Sequence, residues 1–144
     1  MEQKTTRSLS KRLQMIREDR EAEAFIKEHA ETETLHSFFN ALLAEKEITV
    51  PELIERSGIS RNYIYNILSG ERVHPSRDKV IAICIGMEGS FSQINKALEL
   101  VKLSPLYPKD ERDARIAIAV NQGVSSVTEI NLMLEKNGLA PLAV

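Results

Sequence analysis

The chain has 144 residues, 42% of them hydrophobic, with a net charge of −2 and a pI of about 6.0. That length fits one domain, or one domain with an appendage, and the apolar share suffices for a real core. No apolar run approaches the roughly 18 residues of a membrane span, and the opening MEQKTTRSLSKRLQ lacks a signal-peptide core, so a cytoplasmic chain is expected.

Residues 1–33 carry seven basic against eight acidic side chains. Leu9, Leu13 and Ile16 are helically spaced, and Phe25 and Ile26 add another apolar point. The pattern predicts one solvated helix from about Ser8 to His29, a charged extension that is either partly ordered or packed on a second subunit. His29 and His36 lie seven apart with no third ligand, so no metal site is expected. The next helix begins near Thr34, with Leu35, Phe38, Phe39 and Leu42 facing inward, and ends at Glu45-Lys46-Glu47.

The stretch Ile48–Gly70, ITVPELIERSGISRNYIYNILSG, reads as two short helices joined by a tight turn. Thr49 followed by Glu52 is a capping box, which starts a helix at Val50, and Ile48 with Leu53 forms a hydrophobic staple. Pro51 falls in the first turn, where a missing amide costs little. Gly58 suits the left-handed geometry that ends a helix, and Ser60 is a second N-cap. From Arg61 to Leu68, Ile64, Ile67 and Leu68 share one stripe, while Asn62, Asn66 and Ser69 point outward, flanked by Arg61 and Tyr65. Arg, Asn, Tyr and Ser can bond base edges and phosphates, whereas an ordinary solvated face carries Lys and Glu.

These residues resemble the Cro and lambda-repressor type of helix-turn-helix, the XRE-type regulators. The resemblance spans about Leu35 to Met87 and rests on Thr49, Glu52, Leu53, Ser57-Gly58-Ile59-Ser60, Ile64, Gly70, Pro75-Ser76 and Ile81-Ala82. It implies a five-helix fold whose third helix, about Arg61 to Leu68, enters the major groove of double-stranded DNA. Val50 stands where the family often has a DNA-contacting Gln, which removes a contact. Ile54 stands where it often has Ala, which predicts a wider helix crossing.

After Gly70, the loop Glu71–Ser76 introduces a helix at Arg77. In the resembling family this loop lies against the DNA backbone, making Arg72, His74 and Arg77 phosphate-contact candidates. Between Arg56 and Lys79 five basic residues face two acidic ones, a local excess of +3 that offsets the weak global charge. Val80, Ile81, Ile83, Cys84 and Ile85 make this helix central to the core, so Cys84 reads as a buried small hydrophobe. One cysteine also excludes an internal disulfide and a multi-cysteine zinc site. A further helix runs from about Ser92 to Lys102.

The last third contains a repeat. Residues 94–106, INKALELVKLSPL, and 130–142, INLMLEKNGLAPL, agree at seven of thirteen positions, and Ile81-Ala82-Ile83 recurs as Ile116-Ala117-Ile118. A duplicated helix pair explains both. Ile116, Ile118, Val120, Ile130 and Leu134 must then pack on the preceding unit or on another chain. Leu139, Leu142 and Val144 are expected to leave an apolar patch suited to a partner. Asp110, Glu111 and Asp113 read as helix-start acids and Ser125-Ser126 as a helix cap.

The expected fold is all-α: a lambda-repressor-like helix-turn-helix bundle extended by a duplicated C-terminal helical hairpin and an N-terminal helix. The divisions are 1–33, the extension; 34–106, the DNA-binding domain; and 107–144, a hairpin repeating 78–106. No phosphate loop, nucleophile elbow or HExxH run occurs, so no catalytic residue, metal ligand or cofactor is expected. The function expected is sequence-specific transcription regulation. Arg61, Asn62, Tyr65 and Asn66 would contact bases, and Ser60, Arg72, His74 and Arg77 phosphates. A homodimer, or a protein partner on the C-terminal helices, fits the surface pattern. The competing expectation is an adaptor that keeps the helix-turn-helix as a scaffold.

Overall fold

The computed structural model describes residues 6–29 and 33–144, with side chains described outside 27–29. All regular structure among the described residues is helical: α1 (Thr6–Met15), α2 (Asp19–His29), α3 (Leu35–Lys46), α4 (Val50–Ser57), α5 (Arg61–Ser69), α6 (Arg77–Gly86), α7 (Phe91–Leu100), α8 (Glu111–Asn121) and α9 (Val127–Lys136). None of them is long and apolar enough to cross a membrane. The chain divides into two compact units, residues 1–32 and 33–144.

In the first unit the expected single helix is two helices, interrupted at Ile16–Glu18. Charge explains the break. Arg12 lies in the last turn of α1 and Arg17 in the break itself, while Asp19 and Glu21 occupy the first turn of α2, the signs each helix dipole favours. No described residue of this unit is buried.

The second unit is built around α6, whose residues Val80–Gly86 are all buried. An amphipathic stripe cannot describe this helix, because neighbours surround it: α4 and α7 pack along it, and α9 touches it as well. Gly86 sets the approach of α4, since a Cβ there would stand 3.0 Å from Leu53 Cδ1 and 3.2 Å from the Ser57 amide nitrogen. Phe39, with Ile64 and Ile67, closes the core on the α3–α5 side, whereas Phe38 is only partly buried. Cys84 is fully buried, and burial pushes its thiol far above the ordinary range, so it behaves as an apolar side chain.

The repeat is a structural duplication, α6–α7 with the segment after it against α8–α9 with its own. The backbone turns coincide. Glu88 and Gly123 both have positive φ (58° and 88°), as do Lys102 and Gly138 (59° and 71°). The bonds Lys102 N–H to Glu99 O and Leu103 N–H to Leu98 O recur as Gly138 to Glu135 and Leu139 to Leu134. Asn95 Oδ1 accepts the Leu106 amide at 2.9 Å, and Asn131 Oδ1 accepts the Leu142 amide at 2.7 Å.

Side chains then join the copies reciprocally. Arg77 donates both Nη groups to Asp113 (3.0 and 2.8 Å), and Arg112 donates both to Asp78 (3.1 Å each). Each arginine also donates to two carbonyls of its own copy, Arg77 to Ser104 and Pro105, Arg112 to Ala140 and Pro141. Each aspartate accepts a backbone amide of the other copy's exit, Asp113 from Tyr107 and Asp78 from Ala143. Residue i of one copy meets j of the other and the reverse holds, the contact rule of a two-fold interface, here within one chain.

Several C-terminal expectations are corrected. Asp113 is not merely a helix-start acid but a buried acceptor, while Asp110 supplies the cap. Ser126 occupies the N-cap position of α9 without a side-chain cap bond. Of the expected tail patch, Leu142 is buried and Leu139 partly buried, while Val144 stays exposed; Phe91, Tyr107 and Ile118 are exposed together around a groove elsewhere. Lys102 holds a left-handed conformation its image assigns to glycine, and its side chain is exposed. Lys102→Gly should therefore stabilise the protein by up to about 1 kcal/mol, read as a higher urea midpoint with unchanged slope.

Candidate nucleic-acid interface

The turn between α4 and α5 follows from its caps. Thr49 Oγ1 accepts the Glu52 amide at 3.3 Å, and Gly58 ends α4 with φ 69°. The reciprocal half of the expected capping box differs: the Glu52 carboxylate takes the Thr49 hydroxyl (3.0 Å) instead of its amide. Ser57, fully buried, uses its hydroxyl to accept the Ile59 amide, which fixes the turn from inside. Ser60 Oγ then accepts the Tyr63 amide at 3.3 Å and starts α5. At the far end Asn40 on α3 donates to Leu68 O at 2.9 Å, tying down the last turn of α5.

On α5, Ile64 and Ile67 point into the core, Arg61, Asn62 and Tyr65 are exposed, and Asn66 is half-buried. The side chains of Arg61, Asn62 and Asn66 make no hydrogen bond to the described residues, so their donors and acceptors stay available. Arg61 lies over the Tyr65 ring at 5.3 Å, one helical turn away, which holds the two side chains as a pair.

A second cluster stands beside this face. Two cations approach the Tyr63 ring, Arg72 at 4.7 Å and the Lys79 ammonium at 4.1 Å from its centroid. Burial raises the Tyr63 hydroxyl above its ordinary pKa, and the Arg72 charge offsets only part of this, so the ring stays neutral. Arg61, Arg72 and Lys79 make no ion pair among the described residues, and their charge is not neutralised internally. The Arg72 amide donates to Asn66 O at 3.1 Å, which folds the following loop against α5. Asn66, Glu71, Arg72, Val73 and His74 line an open concavity there.

Three of the four residues expected at phosphates, Ser60, Arg72 and His74, are exposed around α5. Arg77 is placed differently. Four of its five N–H donors are spent on Asp113, Ser104 and Pro105, and the Asp113 hydrogen bonds hold its guanidinium deeper in the charged form. Its role is to join the duplicated units. The available signal is the repeat itself, since Arg77-Asp78 returns as Arg112-Asp113 in a copy far from α5 in sequence. Lys79, two residues on, is the basic side chain that reaches the Tyr63 cluster, and sequence reading passed it over.

Val50 and Ile54, the two departures from the resembling family, are both partly buried and pack on the core. A family model described as the Cro/C1-type helix-turn-helix DNA-binding domain matches residues 39–95, from within α3 to within α7. No curated protein and no solved structure matches the chain. With the capped α4–α5 pair at the centre of that match, the chain carries a Cro/C1-type helix-turn-helix DNA-binding domain.

Proposed function

We propose that this protein is a sequence-specific transcription regulator of the cytoplasm that reads the major groove of double-stranded DNA with α5. The observation that carries this reading is the face of α5 itself, where Arg61, Asn62, Tyr65 and Asn66 stand together beside unneutralised cations at Arg72 and Lys79. Arg61 and Asn62, at the helix start, suit guanine and adenine edges, with Tyr65 and Asn66 next along the groove. Ser60, Arg72, His74 and Lys79 would hold phosphates, with Lys79 taking the place first given to Arg77. A net charge of −2 makes one copy a weak binder, so two copies on a two-fold site fit best.

Arg72→Ala tests the phosphate assignment. It should weaken binding to specific and scrambled duplexes by the same factor and reduce the slope of log affinity against log salt by about one unit. Fluorescence anisotropy across a salt series reads both quantities. A wild-type chain that binds neither duplex at low salt would overturn the proposal.

A further inference from the structure

The duplication gives the molecule two versions of one groove, and only one is filled. The first lies between α6 and α9 and seats α4: Gly86 faces Leu53 and Ser57, and Val144 Cγ2 stands 3.6 Å from the Cβ position of Gly58. Ala82 and Ile83, one turn before Gly86, share its stripe. The positions equivalent to Ala82, Ile83 and Gly86 in the second copy are Ala117, Ile118 and Asn121, that equivalent to the flanking Lys79 is Ala114, and those equivalent to Val127 and Val144 are Phe91 and Pro108. All six line an open groove of about 240 Å³ between α7 and α8, with Tyr107 beside them. Burial separates the two copies. Ile83 is 0% exposed and its equivalent Ile118 is 55% exposed; Val127 is 2% exposed and its equivalent Phe91 37%.

We infer that this groove is a second helix seat, which takes a short amphipathic helix from a partner protein as the first takes α4. The internal occupant defines the partner's shape: about two turns, with a large aliphatic side chain at the position of Leu53 and a small one at that of Ser57. The changes between the seats define its charge. Around the first, Lys79 flanks the stripe and Glu88 pairs with Arg56 of α4 at 3.2 Å; the equivalents are Ala114 and Gly123. The groove's one charged side chain, Asp113, is already taken by Arg77. The stripe that fits is therefore uncharged. Asn121 in place of Gly86 puts a side chain where the first seat has none, so the partner helix lies farther out than α4 does and meets the added amide with a Ser, Asn or Gln. A second copy offers no spare helix of this kind in residues 33–144, because its own α4 is seated.

The test uses the full ¹⁵N-labelled chain and a side-chain-stapled helical peptide reproducing residues 48–58 with Arg56→Gln. The seat predicts saturable shifts at Phe91, Tyr107, Ala114, Ala117, Ile118 and Asn121, complete by about 1 mM peptide. Ile118→Asp should weaken peptide binding at least about tenfold. Because Ile118 is already exposed, thermal unfolding and DNA affinity of that variant should match the wild type, which separates this outcome from any failure of the DNA reading. Absence of saturation, or shifts centred on Ala82, Ile83 and Gly86 instead, would overturn the inference. So would shifts at the groove that grow with protein concentration without peptide, which would make the occupant a second copy.

Discussion

Asp113→Ala should destabilise the protein by about 3 kcal/mol, the cost expected when one member of a buried, hydrogen-bonded ion pair is removed. The alanine deletes two bonds from Arg77 and one from the Tyr107 amide, and leaves the Arg77 guanidinium facing a site it was desolvated to enter. Asp78→Ala should cost less, because that carboxylate is 23% exposed against 7% for Asp113 and water can replace part of its role. Thermal unfolding followed by circular dichroism should fall by roughly 10–15 °C for the Asp113 variant. A double variant, Arg77→Ala with Asp113→Ala, should cost clearly less than the sum of the two single changes. Additive costs would show that the pair does not act as a unit.

The same pair sets the acid limb of stability. Burial alone would raise Asp113 and Asp78, but the hydrogen bonds from Arg77 and Arg112, the backbone amides of Tyr107 and Ala143, and the arginine charges outweigh it. Both carboxylates end below the ordinary value of 3.8, so the fold prefers them ionised. Their contribution is complete above about pH 5 and is lost as the pH falls through their folded values. Asp113→Ala should flatten that acid limb; an unchanged pH profile would contradict the assignment.

Asn62→Ala should lower the ratio of specific to scrambled DNA binding by about 1 to 3 kcal/mol, the discrimination of one bidentate amide–adenine pair. Stability should hardly change, because Asn62 is exposed and its side chain makes no hydrogen bond among the described residues. The measurement is anisotropy at fixed salt, on a duplex selected by the wild type and on a scrambled one. If both proteins keep the same ratio, α5 does not read bases through Asn62. The contrast with Arg72→Ala is diagnostic, since a phosphate contact lowers both affinities together whereas a base contact lowers one.

What the sequence made legible was local. The caps Thr49, Ser60 and Ser76 announced their helices because a hydroxyl three residues before a free amide acts over one turn, whatever the rest of the chain does. The stripe of Ile64 and Ile67 could be read for the same reason. The repeat was visible as a pattern, but its consequence was not, because the reciprocal arginine–aspartate exchange exists only once two copies face each other. Arg77 shows that gap: a basic residue beside a helix-turn-helix reads as a phosphate contact, and its bonds to Asp113, 36 positions away, appear only in the fold. Ile118 shows the other limit. Helical spacing says which side is apolar, but not whether this chain supplies the cover.

Beneath α4, the chain's last residues form part of the wall: the Ala143 amide is bound by Asp78, and Val144 lies against Gly58, where α4 turns toward α5. Displacing residues 143 and 144 would therefore loosen the packing under the turn between α4 and α5 as well as the Asp78 junction.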